Sequence, residues 1–366
     1  MTTQVFQRIV WWMTAVVSLA WLTAADTPLP NIHFGERNDP SNDILGPQLS
    51  KEEMDSASHR LASLDKDGTH LPAVGSPKQG AMGSPDPIAA SGYFQGDIVL
   101  PSPDHFYQIM QGSSDAQASA ESDPHKKWPN GVVPYVISDN FSGAERNVIA
   151  GAIVDLARHT CIRFIPRQPH HLGYVHILKG NGCSSEVGHQ GRWQVVSLGA
   201  GCVYHGIVLH EFLHALGFWH EQARPDRDLH VWVNWINVLP NMTFNFEMKS
   251  NKVTTNLGLS YDYTSVMHYG PNAFARDPSK PTLVPKLAGV HIGQRRGLSQ
   301  MDVEGVNRLY QCRLSNNKPN QVDTPTPKKC VDDHSACWKW ARENWCEKNS
   351  FVSTTCRKSC NKCSSD

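Results

Sequence analysis

The chain has 366 residues, with 34 acidic and 34 basic side chains and a formal net charge of zero. That length favours two or more folded units. Because there is no excess of positive charge, nothing in the composition favours nucleic acid or an anionic membrane surface as a partner, and we expect no nucleic-acid partner.

Residues 1–25 have the composition of a signal peptide. Arg8 precedes an apolar run from Ile9 to Leu22, and small residues follow, so we expect cleavage after Ala25. The alternative is an N-terminal membrane anchor. That run is too short to cross a bilayer comfortably, and no later stretch is long enough to do so.

Two further features agree with export. The chain contains 10 cysteines, an even number that we interpret as disulfides formed in an oxidising compartment. Asn140 and Asn241 each begin an Asn-X-Ser/Thr sequence, so both are predicted glycosylation sites. We therefore predict a secreted, extracellular protein without a membrane span.

The stretch from Asp26 to about Asp123 is poor in large apolar residues, rich in Pro, Gly, Ser, Asp and Gln, and free of cysteine. Such a composition cannot bury enough apolar area to fold alone. One apolar island, Gly92 to Leu100, interrupts it. We expect this island to dock against another part of the chain.

The globular part is predicted to begin near Trp128 and to contain short strands between helices. Ser142 and Glu145 form a capping box that opens a helix, and Ser299 caps a last helix that ends at Cys312. The run at 195–198 is predicted to be an edge strand. Runs of strand-forming residues occur at 132–138, 161–165, 174–178, 195–198 and 231–236.

The stretch from His210 to Glu221 reads HEFLHALGFWHE, and its flanks are apolar on nearly every side. A helix of this kind is buried. His210 and His214 are about 40° apart around the helix and about 6 Å apart along its axis. Buried imidazoles need partners, and two at this separation can bind one cation from the same face.

Gly217 can adopt the left-handed conformation that ends a helix, which lets the chain turn back and deliver His220 as a third ligand. Glu211 lies one position from His210 and can stand beside the metal as a base. The alternative is a set of hydrogen-bonded core histidines. Chance rarely gives three His, one Glu and one Gly at these offsets, so we predict a metal site.

Residues 314–329 are rich in Pro, Asn, Thr and Lys and are predicted to form a linker. Residues 330–363 then contain six cysteines. So short a segment cannot build a hydrophobic core, and we expect disulfides to hold it together.

The sequence HEFLHALGFWHEQ, together with SVMHY at 265–269, resembles the astacin family of zinc metalloendopeptidases, within the metzincins. The likeness runs from about Trp128 to Cys312 and includes WPNGVVPY, SLGAGCVYHG and RPDRD. It implies an α+β, zincin-like fold with a twisted sheet and an active-site helix over residues 119–313. It also implies an endopeptidase whose partners are protein or peptide substrates, extracellular matrix among them.

The resemblance assigns a role to each matched residue, with one Zn²⁺ in the domain. Glu211 matches the general base, which takes a proton from zinc-bound water as that water attacks the peptide carbonyl. Met267 matches the methionine beneath the metal. Tyr269 matches the tyrosine that ligates zinc at rest and then steadies the transition state. The zinc ligands are matched by His210, His214 and His220.

The stretch from Phe94 to Asp97 resembles the F-x-G-D motif of astacin propeptides. It implies that residues 26–118 are a propeptide and that Asp97 binds the zinc in the zymogen, where it displaces water; the alternative is a plain Gly-Asp turn. The family also buries the mature N-terminus, here near Ser119, against the glutamate that matches Glu221. No Arg or Lys lies between Asp97 and His125, so the cleavage site and the activating protease stay open.

The family's two disulfides are matched by Cys161 with Cys312 and by Cys183 with Cys202; four cysteines by themselves allow three pairings. The C-terminal cysteines resemble a ShKT module, with the ending TTCRKSCNKC. One pairing of the fifteen that six cysteines allow is implied for that module. It is Cys330–Cys363, Cys337–Cys356 and Cys346–Cys360.

The module carries an aromatic set that is predicted to dock substrate or a partner, although some of its members fill the small core. The linker predicts that the module is structurally independent of the protease. A channel toxin is disfavoured, because Lys348 is followed by Asn349 where channel-blocking members have a Lys-Tyr pair. A catalytically idle binding protein is disfavoured because the ligands and the base are all present. The aromatic set is Trp338, Trp340, Trp345 and Phe351.

Overall fold

The computed structural model describes residues 32–35, 43–66, 86–110, 120–121, 123–248, 254–312, 332 and 336–362. The chain divides into two units, residues 1–32 and 33–366, and of the first only Ile32 is described. The signal peptide, the end of the propeptide and the linker at 314–329 lie outside the described residues. Within those residues no helix has both the length and the apolar composition needed to cross a membrane.

Helices and strands alternate through the middle of the chain and give way to helices at its end. The helices are α1 (Lys51–Lys66), α2 (Pro103–Met110), α3 (Gly143–His159), α4 (His205–Ala215), α5 (Gln300–Leu309), α6 (Cys337–Arg342), α7 (Trp345–Lys348) and α8 (Ser350–Thr355). The strands are β1 (Ala120–Glu121), β2 (Val132–Ile137), β3 (Arg163–Pro166), β4 (Tyr174–Leu178), β5 (Cys183–Ser185), β6 (Trp193–Leu198), β7 (Val231–Val233), β8 (Thr254–Thr255) and β9 (Leu283–Pro285).

The main sheet has five strands in the order β3-β2-β4-β6-β5. The first four are parallel, and β5 pairs antiparallel with β6. The prediction that 195–198 is an edge strand is therefore wrong, because β6 lies between β4 and β5. The edge strand on that side, β5, reads Cys-Ser-Ser and has no apolar run to mark it. Its place is fixed by the register Cys183↔Leu198 and the disulfide Cys183–Cys202.

Helix α3 packs against both the sheet and the central helix α4. Ser142 and Glu145 form the expected capping box at its start, and Ile149 and Ile153 bury its inner face in the main core. On the same helix the Asp155 carboxylate lies 2.9 Å from His205 Nε2, at the first residue of α4. This pair links the starting point of α4 to a helix that is already anchored on the sheet.

The N-terminal segment (residues 33–110) docks on the protease body through α1 as well as through the island. Ser50 and Glu53 cap α1 through reciprocal hydrogen bonds of 3.1 and 2.6 Å. Leu61 of α1 lies in the main core, and Glu53 pairs with Arg146 of α3 at 2.7 Å. Helix α1 forms here because the apolar area that it cannot bury alone is buried against α3.

The C-terminal module packs on the protease body, so the predicted structural independence is wrong. Trp340 is completely buried and its indole N–H donates to the carbonyl oxygen of Ala288 at 2.7 Å. Leu287 and Val290 of the body share one apolar cluster with Trp340 and Val352 of the module. A module too small to cover its own tryptophan completes that core on its neighbour.

Two of the module's disulfides lie in the described residues, Cys337–Cys356 and Cys346–Cys360. The predicted pair Cys330–Cys363 lies outside them. Of the aromatic set, Trp338 is 60% exposed and Trp345 is half-buried, whereas Trp340 belongs to the interface with the body.

Candidate active site

Helix α4 is buried along its length and carries two of the predicted ligands. Gly217 has φ = +107°, a left-handed conformation that lets the chain reverse after the helix. The reversal brings His220 back to the first two histidines, and its Nε2 lies 3.2 Å from His210 Nε2. The spacing of the motif thus brings three imidazoles together in one cluster.

A fourth group, the carboxylate of Asp97, lies inside this cluster. Its Oδ2 is 2.9 Å from Nε2 of His210 and 3.6 Å from Nε2 of His214, and its Oδ1 is 3.3 Å from Nε2 of His220. All four side chains are completely buried, and one ligand atom from each falls within 4.8 Å of the others. The structure therefore brings together the four residues that the sequence proposes as zymogen ligands.

The orientation of each imidazole is fixed by a partner at its other nitrogen. Nδ1 of His210 donates to the carbonyl oxygen of Val266 at 2.8 Å, and Nδ1 of His214 donates to that of Phe218 at 2.7 Å. Since a carbonyl oxygen only accepts, a neutral imidazole held in this way presents its unprotonated Nε2 to the centre. Nδ1 of His220 lies 3.0 Å from the side-chain oxygen of Gln95.

The cluster fits a zinc ion. Burial lowers the pKa of His210 to about 3 and that of His220 to about 4, so both rings are neutral as a ligand must be. Within the described residues, His214 Nε2 and Asp97 Oδ1 are buried without a hydrogen bond. Three neutral imidazoles and one carboxylate form a donor set that zinc takes, and the cluster could hold one such ion.

Glu211 is completely buried next to the ligands. Both of its carboxylate oxygens lack a hydrogen-bond partner among the described residues. Burial, and after it the neighbouring Asp97 carboxylate, raise the pKa of Glu211 well above its ordinary value. A buried carboxyl without a partner is costly to folding, which points to a chemical use for it.

The turn at 265–269 lies beneath the histidines and is held by two residues that sequence reasoning missed. Asp302 of α5 accepts from the Ser265 hydroxyl at 2.6 Å and from the Val266 amide at 2.9 Å. Arg295 donates to the carbonyl oxygens of Val266 and His268 at 3.0 and 2.9 Å. The capping sequence Ser299-x-x-Asp302 was a visible signal for the first contact, whereas nothing local identifies Arg295.

Met267 and Tyr269 lie at the end of this turn. Met267 is buried, and its carbonyl oxygen accepts from the Glu221 amide at 3.1 Å, which ties the turn to the residue after the third histidine. The ring of Tyr269 packs on His220 with centroids 4.7 Å apart. Its hydroxyl donates to the carbonyl oxygen of Gln95 at 2.6 Å, so the N-terminal segment holds the tyrosine.

The backbone around Asp97 is shaped for this position. Gln95 and Gly96 have φ of +50° and +93°, and amide–carbonyl bonds in both directions between Tyr93 and Gly96 close a tight turn. A Cβ at Gly96 would lie 2.9 Å from the carbonyl oxygen of Ile88, so only glycine fits. The segment then runs along β5 through backbone hydrogen bonds. The Ser185 amide donates to the carbonyl oxygen of Asp97 at 3.1 Å, and the Ser185 carbonyl oxygen accepts from the Val99 amide at 2.9 Å.

Glu221 lies on the other side of the turn, facing a small cavity. Its Oε1 accepts from the Asp262 amide at 2.7 Å and from Arg224 at 3.2 Å, and burial, opposed by Arg224, raises its pKa to about 8. The lining of the cavity includes Glu221, Asp262 and Phe218. Ala120 makes a β-bridge with Phe218, so the chain near residue 120 passes close by.

The remaining predicted sites lie away from this centre. The structure joins Cys161 to Cys312, as well as Cys183 to Cys202. The side chains of Asn140 and Asn241 are exposed.

Comparison with known proteins gives two family matches. Residues 120–311 match the model of the peptidase family described as Astacin, and residues 329–363 match one described as ShK domain-like.

Individual relatives are similar over the same region. Zinc metalloproteinase nas-15 of Caenorhabditis elegans is 38% identical over 267 residues, which cover 64% of this chain and 47% of that protein. Low choriolytic enzyme of Oryzias latipes is 40% identical over 227 residues, or 60% of this chain and 78% of that one. The chain spans about half the length of nas-15 and of nas-13, at 47% and 44%.

Among solved structures, High choriolytic enzyme 1, a hatching enzyme zinc-protease from Oryzias latipes, is 43% identical, covering 51% of this chain and 94% of that one with a TM-score of 0.48. The Astacin model covers just over half of the sequence, from residue 120 to residue 311. The chain therefore belongs to the astacin family of zinc metallopeptidases.

Proposed function

We propose that this protein is a zinc-dependent endopeptidase that is secreted as a latent precursor, with residues 26–118 as its propeptide. One observation supports both parts of the proposal. The Asp97 carboxylate lies inside the three-histidine cluster, 2.9 Å from His210 Nε2. A carboxylate in that place neutralises a bound cation and excludes the water that hydrolysis needs.

The cluster His210, His214 and His220 would hold the zinc. When bound, zinc supplies Lewis acidity, which lowers the pKa of water and polarises a peptide carbonyl. The protease body's part is to orient the imidazoles, through the hydrogen bonds that His210 and His214 donate from Nδ1 to backbone carbonyl oxygens.

Glu211 is proposed as the general base. Its carboxylate would accept a proton from the attacking water and pass it to the leaving amine. Burial favours this role, because a carboxyl whose pKa is raised takes up a proton more readily than one in water. The lack of any hydrogen bond to its oxygens among the described residues leaves them available to the reactants.

Tyr269 is proposed to act twice. Its hydroxyl is held by Gln95 O in the precursor, and departure of the N-terminal segment would free that donor. In the resting enzyme we propose that it ligates zinc, and in the transition state that it donates to the developing oxyanion.

Activation is proposed to require an unidentified protease that cuts near Ser119. The new N-terminus would then enter the cavity beside Glu221. Two observations support this: Glu221 lines that cavity, and Ala120 already bridges to Phe218 on the cavity's edge. A buried carboxylate is a suitable partner for an ammonium group.

The extracellular setting is also part of the proposal. It rests on the signal-peptide composition of residues 1–25, on the disulfides, and on exposed sequons at Asn140 and Asn241. The substrates would be proteins or peptides, with extracellular matrix among them. The C-terminal module would dock such a substrate through Trp338, which is 60% exposed.

The test uses the full-length precursor, cut by a panel of proteases and assayed on a peptide library with and without a chelator. Glu211→Gln should retain bound zinc, because the ligands remain, and should lose turnover by about 10²–10⁴-fold. Glu304→Gln, at an exposed position of α5, is the matched control. Activity that survives chelation, or a Glu211 variant with more than half of the parent's rate, would contradict the proposal.

A further inference from the structure

An aromatic side chain of the protease body is covered by aromatic rings of the N-terminal segment. Phe244 is 6% exposed. Its ring stacks on Phe94 with centroids 6.2 Å and planes 21° apart, and meets Phe106 edge-on at 5.8 Å and 84°. Phe94 and Phe106 both precede the proposed cleavage near Ser119, so activation would remove both rings and expose Phe244.

The position of Phe244 relates it to the catalytic centre. It lies in the turn Thr243–Phe246, and Phe246 of that turn packs edge-on against Tyr269 with centroids 6.0 Å apart. From the other side, Phe94 precedes the zinc-site carboxylate of Asp97 by three residues. The pair Phe94–Phe244 therefore lies beside the centre, joined to the Asp97 carboxylate by the turn at Gln95 and Gly96.

The segment that carries Phe94 occupies the cleft as a peptide would. Just beyond Asp97 it adds to the sheet edge at Ser185 through backbone hydrogen bonds of 3.1 and 2.9 Å. In strand addition the backbone bonds supply affinity, while pockets for individual side chains supply selectivity. Phe94 is completely buried, packed against Phe244 of the body and Phe106 of its own segment.

We propose that Phe244 is a specificity-determining residue that forms the wall of a substrate subsite for an aromatic side chain. This inference rests on the proposed endopeptidase function and names the substrate class of the same cleft. Once the segment leaves, the exposed face of Phe244 is covered again by an aromatic residue of the substrate. Burial and ring stacking then favour that residue over a small one.

The rival account is that Phe244 only docks the N-terminal segment. In that case it would influence latency but not the choice of peptide. The two accounts differ in the activated enzyme, from which the segment is gone.

The experiment uses the activated enzyme and a peptide library to find the position near the cut where aromatic residues are enriched. Two peptides that differ there by Phe or Ala are then compared. We expect the parent to favour Phe by about tenfold or more in kcat/KM. Phe244→Ala should reduce that ratio to about twofold or less and leave cleavage of the Ala peptide nearly unchanged, because that peptide does not use the wall.

Phe244→Leu keeps an apolar wall without a ring, and should retain a preference for Phe over Ala that is smaller than the parent's. This leucine variant keeps the inference testable if Phe244→Ala does not fold. Trp232→Ala, at a position 58% exposed on β7, is the control and should keep the parent's ratio. Zinc content and the melting temperature of each variant report an intact site.

Three results would overturn the inference. A parent enzyme that cleaves without aromatic preference removes the subsite, although the endopeptidase stands. If the Phe244 variants have active precursors but their activated enzymes keep the parent's selectivity, Phe244 serves only to dock the N-terminal segment. A zinc-loaded parent that cleaves no peptide after activation removes the proposed function and this inference with it.

Discussion

The hydroxyl of Tyr269 donates a 2.6 Å hydrogen bond to the carbonyl oxygen of Gln95. The same residue's side-chain oxygen lies 3.0 Å from Nδ1 of His220. One residue of the N-terminal segment thus contacts two groups of the site, one through its backbone and one through its side chain. In the proposed latent precursor, these two hydrogen-bond contacts of Gln95 would add to the effect of the Asp97 carboxylate.

The Tyr269→Phe variant tests the tyrosine in the activated enzyme. Without the hydroxyl, a contact made mainly in the transition state is lost, so kcat should fall by about 10²-fold while KM changes little. Steady-state kinetics on one short peptide checks this. An unchanged kcat would count against the proposed role.

The Asp97→Ala variant tests the proposal that the Asp97 carboxylate blocks the zinc site. We expect the uncut precursor to gain at least about tenfold in activity, because the ligand that excludes water is gone. The activated variant should have the same activity as the activated parent enzyme. The control is Asp104→Ala, an exposed carboxylate of α2. A mutant precursor as silent as the parent would assign latency to steric cover by the rest of the segment.

The pair Asp155–His205 predicts a pH dependence of stability. Burial alone would raise the pKa of Asp155, but hydrogen bonds from His159 and His205 hold it below the ordinary value of 3.8. The folded state therefore binds the proton less readily than the unfolded state. Its stabilisation is present above pH 3.8 and is lost as the pH falls through the lower folded value.

Accordingly, Asp155→Asn should be less stable than the parent near neutral pH, and the difference in unfolding free energy should shrink as the pH falls below 3.8. Denaturant titrations at a series of pH values measure it. A difference that stays constant across that range would show that the carboxylate's charge is not what links α3 to α4.

Trp340→Ala tests the contact between the module and the protease body. Removing a buried indole that also donates to Ala288 O should cost about 3–5 kcal/mol, measured by denaturant unfolding. Trp338→Ala on the same helix is the matched control; its side chain is 60% exposed, and the cost should stay within about 0.5 kcal/mol. Equal losses in the two variants would argue that the observed packing does not stabilise the protein.

Features with a local chemical cause could be predicted from the sequence. The start of α3 follows from the Ser142 and Glu145 capping box, and the reversal after α4 follows from Gly217. The three histidines come together because of the helical period and the reversal at Gly217, and both features depend only on residues close in sequence. The same local reasoning should have found α1, since Ser50 and Glu53 form another capping box before the spaced apolar residues Ala57 and Leu61.

Features set by distant contacts could not be predicted. The position of β6 inside the sheet depends on β5, a strand that carries no apolar pattern. Arg295 is recognisable as a support of the 265–269 turn only once its bonds to Val266 O and His268 O are seen. The docking of Trp340 depends on a carbonyl group 52 residues earlier in the chain.

The two attachments of the N-terminal segment have a consequence for the time course of activation. Asp97 is lodged in the cleft, while Glu53 of α1 is paired with Arg146 on α3, and both belong to one stretch of chain. The proposed cut near Ser119 would leave that stretch intact, so the severed piece would stay bound as a bivalent ligand whose two ends raise each other's effective concentration. Breaking the peptide bond and opening the cleft are then separate events, and a freshly cut sample would become active on dilution, after a lag set by dissociation.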